Sequence, residues 1–138
     1  MFGDHQPRLE DEFYEYITGV SLNNWSLEQR MNQYKTPFMI WHNYDTQEKD
    51  IGELSVNYLA AVLMSEAGLE MSEYQQYVFR QYEKYPVIMS LGMTDVSGNV
   101  FPKGSEEYMA RTTDYRWLVY NHTAEKDNRY ESFFEGKE

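Results

Sequence analysis

The sequence predicts a helix-rich α/β fold with a few short strands. Three observations carry that expectation. Helical periodicity recurs along the chain with capping residues at its ends, two short apolar runs are bounded by turn residues, and helix and strand signals alternate. The length of 138 residues suits one domain, expected over residues 1–124, followed by a charged, poorly patterned tail at 125–138 that is expected to be frayed.

The elements come in order along the chain. Met1-Phe2-Gly3-Asp4-His5 runs apolar residues into a Gly-Asp-His triplet, as at a strand end opening into a loop. Leu9 to Ile17 suits a short helix with Phe13, Tyr16 and Ile17 on one side. Ser26 is placed to cap a second helix, with Gln29 completing a capping box. Leu27, Met31 and Tyr34 keep the helical period, and Thr36-Pro37 ends it. Phe38 to Trp41 then reads as a buried strand, and residues 44–52 as a polar loop.

Glu53 to Ala67 carries the clearest helical pattern, with Leu54, Tyr58, Ala61 and Val62 inward and Gly68 ending it in a left-handed turn. Ser72 caps the next helix, with Gln75 expected to complete a capping box, and its stripe is Tyr74, Tyr77, Val78, Tyr82 and Tyr85 before Pro86. Val87 to Leu91 is a second strand candidate, and Asp95 to Val100 a turn into a short strand. Glu106 to Asn121 closes the series, with Tyr108, Tyr115, Leu118 and Val119 inward.

Composition excludes several function classes. The net charge of −11 opposes binding to nucleic acid or to anionic lipid. Absence of cysteine excludes disulfides and thiol chemistry. The longest strongly apolar run, Tyr58 to Met64, is far too short to span a bilayer. The acidic residues near the start do not form a signal peptide, so the chain as written is expected to be soluble.

Gly3-Asp4-His5 is the triplet that bears on chemistry. A carboxylate beside an imidazole offers oxygen and nitrogen ligands to one divalent cation. A turn aspartate next to a surface histidine is the plain structural alternative. His42, after the apolar run, is placed to supplement a metal site at the strand end, but reads more readily as a loop-start histidine. His122 reads as a helix C-terminal residue, where its charged form suits the dipole. The acidic run Asp45, Glu48, Asp50 and Glu53 reads as a solvated loop, without EF-hand spacing.

Phe2-Gly3-Asp4-His5-Gln6-Pro7 resembles the Phe-Gly-Asp-His segment of lipoteichoic acid synthase-like phosphoglycerol transferases, in the alkaline phosphatase superfamily. The stretch Tyr34 to Asp45 is similar to that family's Pro-Phe, aliphatic strand and Trp-x-Asn-Tyr-Asp pattern. Leu54 to Leu59, Tyr85-Pro86-Val87-Ile88, Asp114-Tyr115 and Tyr120-Asn121 resemble further blocks in the same order, so the resemblance covers most of residues 2–121.

The resemblance implies the C-terminal portion of an alkaline phosphatase-like α/β domain outside the membrane. It implies an enzyme with a threonine nucleophile and a divalent metal, usually manganese, that transfers glycerol phosphate from phosphatidylglycerol through a covalent intermediate. Asp4 and His5 take the positions of metal ligands. The family's nucleophile, its other acidic ligand and its membrane helices precede this motif. Thr18, Thr46 and Thr94 match no nucleophile motif. The chain alone is therefore expected to bind metal weakly and to be inactive. Its unpaired strand edges are expected to favour homo-oligomers. The alternative reading is a non-catalytic interaction module derived from the same family.

Overall fold

A computed structural model describes residues 1–45, 47–125 and 127–136. Thr46, Lys126, Lys137 and Glu138 lie outside the described residues, and with them part of the 125–138 tail. The chain forms two compact units, Met1–Lys49 and Asp50–Glu138, and their boundary falls in the polar 44–52 stretch.

The first unit holds helices α1 (Asp11–Thr18) and α2 (Leu27–Asn32), with a 3₁₀ turn at Leu22–Asn24 between them. α2 starts where Ser26 predicts. Gln29 N–H donates to Ser26 Oγ at 3.2 Å, and Gln29 Oε1 accepts from Ser26 N–H at 2.9 Å, which completes the capping box. Trp25 and Met31 are buried. The Trp25 indole donates to Val20 O at 3.1 Å, and Tyr14 meets its ring edge-on with centroids 5.9 Å apart. The side of α1 that carries Phe13, Tyr16 and Ile17 is exposed.

The strand expected at Phe38–Trp41 is not a buried strand. It contributes one antiparallel bridge, between Phe2 and Phe38, while Met39 and Trp41 are exposed. Pro37 explains why the ladder stays short. It has no N–H, so it accepts from Gly3 N–H at 2.9 Å but returns nothing. The Thr36 hydroxyl supplies the missing donor, bonding Gly3 O at 2.9 Å.

The second unit is built on α3 (Leu59–Glu66), α4 (Glu73–Tyr82) and α5 (Glu106–Thr123), with a four-residue helix α6 (Glu131–Phe134). The helix expected from Glu53 begins later, as a 3₁₀ turn at Val56–Tyr58 leading into α3. The expected turn at Gly68 is present. Gly68 has φ 63°, Leu69 N–H donates to Met64 O at 2.9 Å, and Gly68 N–H donates to Ser65 O at 3.2 Å. That is a Schellman closure, and the left-handed residue favours glycine. Ser72 and Ser105 cap α4 and α5, accepting from Gln75 and Tyr108 N–H, both at 3.2 Å, and at Ser72 the expected box is half formed, without the return bond to the Gln75 side chain.

Tyr58, Ala61 and Val78 form the centre of the core, with Tyr74, Tyr77, Tyr82 and Tyr115 packed around it. Val62, Met93 and Tyr108 are buried as well. Burying a large apolar side chain of this kind contributes roughly 1.5–3 kcal/mol. Thr112, which the apolar pattern passes over, is also buried, because its hydroxyl donates to Tyr108 O at 2.8 Å and leaves no polar atom unpaired.

A three-stranded antiparallel sheet runs β1 (Val87–Ile88), β2 (Gly92–Thr94), β3 (Val100–Pro102), in that order. Val87 pairs with Thr94 and Met93 with Phe101. The run to Leu91 is cut short because Met89 and Gly92 already exchange turn bonds of 2.9 and 3.3 Å. Gly92 has no room for a side chain, since a Cβ there would lie 2.5 Å from Phe101 O. Asp95 sets the next turn, accepting from Ser97 and Asn99 N–H at 2.9 and 3.0 Å. Ile88 does not present a free edge. The Ser55 hydroxyl accepts from Ile88 N–H at 2.8 Å and donates to Ile88 O at 2.7 Å.

The tail at 125–138, expected to be frayed, contains the four-residue helix α6. Phe133 and Phe134 pack on Tyr74, and Phe134 stacks on His122 with ring centroids 4.3 Å apart. Aromatic packing at two positions holds a turn that local propensity would not.

Candidate functional site

The segment that carries Asp4 and His5 is positioned by backbone chemistry. Met39 N–H donates to Met1 O at 2.7 Å, Gly3 N–H to Pro37 O, and the Gln6 side-chain amide to Lys35 O. Residues 1–6 thus lie along residues 35–39 of the same unit. Gly3 suits the close approach, because a Cβ there would lie 3.1 Å from Thr36 Cβ.

Past the bridge the chain turns outward. Asp4 Oδ1 accepts from His5 N–H at 2.9 Å, which fixes the carboxylate against the next residue. Asp4 Oδ2 and His5 Nε2 then lie 3.7 Å apart, with side chains 85% and 77% exposed. Two atoms that each sit about 2.1 Å from one tetrahedral ion are roughly 3.4 Å apart, so the pair needs little adjustment to share a cation.

The second ring nitrogen supports the same use. His5 Nδ1 lies 3.1 Å from Gln6 O. A carbonyl only accepts, so Nδ1 carries the proton in the neutral ring and Nε2 keeps its lone pair on the Asp4 side. Oxygen and nitrogen together suit manganese or zinc. Among the described residues, no group of three His, Asp or Glu side chains comes together to complete such a site.

The other candidates from the sequence lie elsewhere. His42 Nδ1 is 2.7 Å from Tyr44 O, and its ring stacks on Tyr44 at 4.6 Å. His122 occupies the last turn of α5, in the aromatic cluster with Tyr74 and Phe134. Asp50 accepts from Gly52 N–H at 2.8 Å, as a loop aspartate does. The Thr18 hydroxyl donates to Tyr14 O at 2.8 Å, and Thr94 lies in β2 opposite Val100.

Sequence reasoning missed Thr36, which anchors Gly3. The signal was present in the Thr-Pro pair, where a hydroxyl precedes a residue that cannot donate. Among the described residues, no helix is long and apolar enough to cross a membrane.

No family model matches the chain, and no solved structure matches it. The chain is similar to a Rhizobium meliloti protein named "Putative cyclic beta-1,2-glucan modification protein". The two are 25% identical over 139 aligned positions, which cover 97% of this chain and 22% of that protein. The similarity is distant, and this chain spans less than a quarter of its relative's length.

Proposed function

We propose that the chain is one portion of a metal-dependent phosphoglycerol transferase of the sulfatase type, and that it contributes Asp4 and His5 to the metal site. The observation that carries the reading is the placement of those two side chains. The Phe-Gly-Asp-His segment is pinned along Thr36–Met39, which belongs to the second stretch that resembles the same family, and its two ligand atoms lie 3.7 Å apart. The Rhizobium meliloti relative, named for glucan modification, supplies the acceptor class. The reaction in this reading breaks the bond between phosphorus and the diacylglycerol oxygen of phosphatidylglycerol, releases diacylglycerol with the proton of a glucan hydroxyl, and joins glycerol phosphate to that hydroxyl oxygen.

A bound manganese ion would polarise a phosphoryl oxygen and activate the nucleophile. Asp4 would hold it with Oδ2 and His5 with Nε2. Gln6 O would keep the His5 proton on Nδ1, and Thr36 and Pro37 would hold Gly3 so that both ligands face the same way. Two ligands bind weakly, so tight binding and turnover require residues outside the described chain.

Paramagnetic broadening of amide signals by manganese tests this, because it registers even weak binding. Broadening is expected to centre on residues 3–6 and 36–38, at a Kd on the order of 1 mM. Asp4→Ala and His5→Ala should each remove it. Broadening centred on the Asp45–Glu53 stretch, unchanged in both variants, would overturn the assignment.

A further inference from the structure

The second unit carries an open cleft of about 450 Å³ between α5 and the end of β1, whose wall includes Asn57, Met89, Tyr115, Arg116 and Tyr120. That volume lies within the range of small-molecule sites. Its chemistry narrows the class of ligand.

The charge in the wall is the first constraint. The chain carries −11, yet neither Asp nor Glu lines the cleft. Arg116 is the single charged group there, and no carboxylate among the described residues lies within 4.0 Å of it. Its guanidinium lies against Met109 Sδ, at 3.2 Å. The rest of the wall is apolar and aromatic, with Ile88, Met89 and Val119 in it, so it suits a neutral or weakly anionic ligand with an apolar face and disfavours a cation.

Two polar side chains of the wall, Asn57 and Tyr115, pair with each other and leave further donors and acceptors open. Asn57 Nδ2 donates to Tyr115 Oη at 2.6 Å. That leaves the Tyr115 hydroxyl proton, the Asn57 carbonyl oxygen and the second amide hydrogen available side by side. Vicinal hydroxyls, each a donor and an acceptor, are the group such a set fits.

Aromatic surface completes the pattern. Tyr120 is 51% exposed on the cleft wall, and Trp117, one turn back on α5, is 67% exposed. The rings meet edge-on at 87°, with centroids 6.2 Å apart. Water gains nothing from a flat π face, whereas the C–H face of a sugar ring can stack on it.

We propose that this cleft binds a glucose ring of a β-1,2-linked glucan, with Tyr120 as the stacking surface and Asn57, Tyr115 and Arg116 bonding its hydroxyls. The identity of the sugar rests on the glucan reading under Proposed function.

The test is an amide-resolved NMR titration of the chain with purified cyclic β-1,2-glucan, with an α-1,4-linked maltooligosaccharide for comparison. Saturable shifts are expected at Asn57, Met89 and Tyr115–Tyr120, with a Kd on the order of 1 mM. Tyr120→Ala and Arg116→Ala should each weaken binding about tenfold. Both side chains are exposed, and the amide spectrum itself reports whether each variant stays folded.

Absence of shifts at about 10 mM glucan, shifts unchanged in both variants, or equal binding of the α-linked sugar would overturn the proposal. Manganese broadening is recorded on the same sample. Glucan shifts without broadening at Asp4 support the cleft and overturn the metal assignment alone. Broadening at Asp4 without glucan shifts overturns the cleft alone.

Discussion

Met1–Lys49 and Asp50–Glu138 are held together by different means. The first buries two large hydrophobic side chains, Trp25 and Met31, and leaves Phe13, Tyr16, Ile17, Met39 and Trp41 exposed. Its order comes from hydrogen bonds, namely the capping box at Ser26, the Thr36–Gly3 bond and the bridge at Phe2. The second surrounds Tyr58, which is 1% exposed, with tyrosines from α4 and α5. The metal-ligand candidates thus sit on the unit with the thinner core, and the cleft on the unit with the denser one. Hydrogen bonds place a group accurately but stabilise little each, about 1 kcal/mol. A packed core stabilises more and fixes a concave surface.

The sharpest way to break this contrast is to truncate one aromatic side chain in each unit. Tyr58→Ala should destabilise the second unit by about 3–5 kcal/mol, because it empties the core centre. Phe13→Ala, at a position 46% exposed, should change stability by no more than about 0.5 kcal/mol. Urea unfolding followed by circular dichroism measures both. Comparable losses from the two would mean that the exposed side of α1 is covered in solution.

A smaller effect is expected from alkaline pH, and it too belongs to the second unit. Burial, reinforced by Tyr115, raises the Tyr58 hydroxyl well above its ordinary value. Burial, with Asp114 next to it, pushes Tyr77 up to about 12. Burial also raises Tyr74 and Tyr115, the latter opposed by its bond from Asn57. These groups fold in the neutral form. Their contribution is complete below the unfolded tyrosine value near 10 and is lost as pH rises through the folded values. Tyrosinate absorbance and helix content should therefore change together between about pH 10 and 12. Ionisation of all thirteen tyrosines near 10, with helices intact, would contradict the burial of this cluster.

The smallest effect tests the first unit. Thr36→Val removes the donor to Gly3 O and should cost about 1 kcal/mol. Hydrogen exchange at the Gly3 and Met39 amides should rise roughly fivefold. Unchanged exchange would show that the backbone bonds alone hold the segment.

Much of this was legible in the sequence, and for a consistent reason. The caps at Ser26 and Ser72, the left-handed turn at Gly68 and the Asp95 turn all join residues within five positions of each other. Such contacts arise from local chemistry. The Gly3-Asp4-His5 triplet drew notice for its adjacent oxygen and nitrogen side chains, which lie 3.7 Å apart.

What the sequence left open depends on distant partners. Ser55 blocking Ile88, 33 positions away, and Asn57 reaching Tyr115, 58 away, carry no local signal, and the Thr36-Pro37 pair marks a hydroxyl donor without marking its partner Gly3, 33 positions away. Phe38–Trp41 has the composition of a buried strand, but a strand is buried only when neighbours cover it, and that depends on the rest of the fold. The sequence by itself determined the caps at Ser26 and Ser72, the turn at Gly68 and the inner faces of α3 and α4, because short-range hydrogen bonds and periodicity decide those. Tertiary structure alone decided which apolar faces meet water, how the sheet edge is closed and where the cleft lies, because each requires chain segments far apart in sequence to meet.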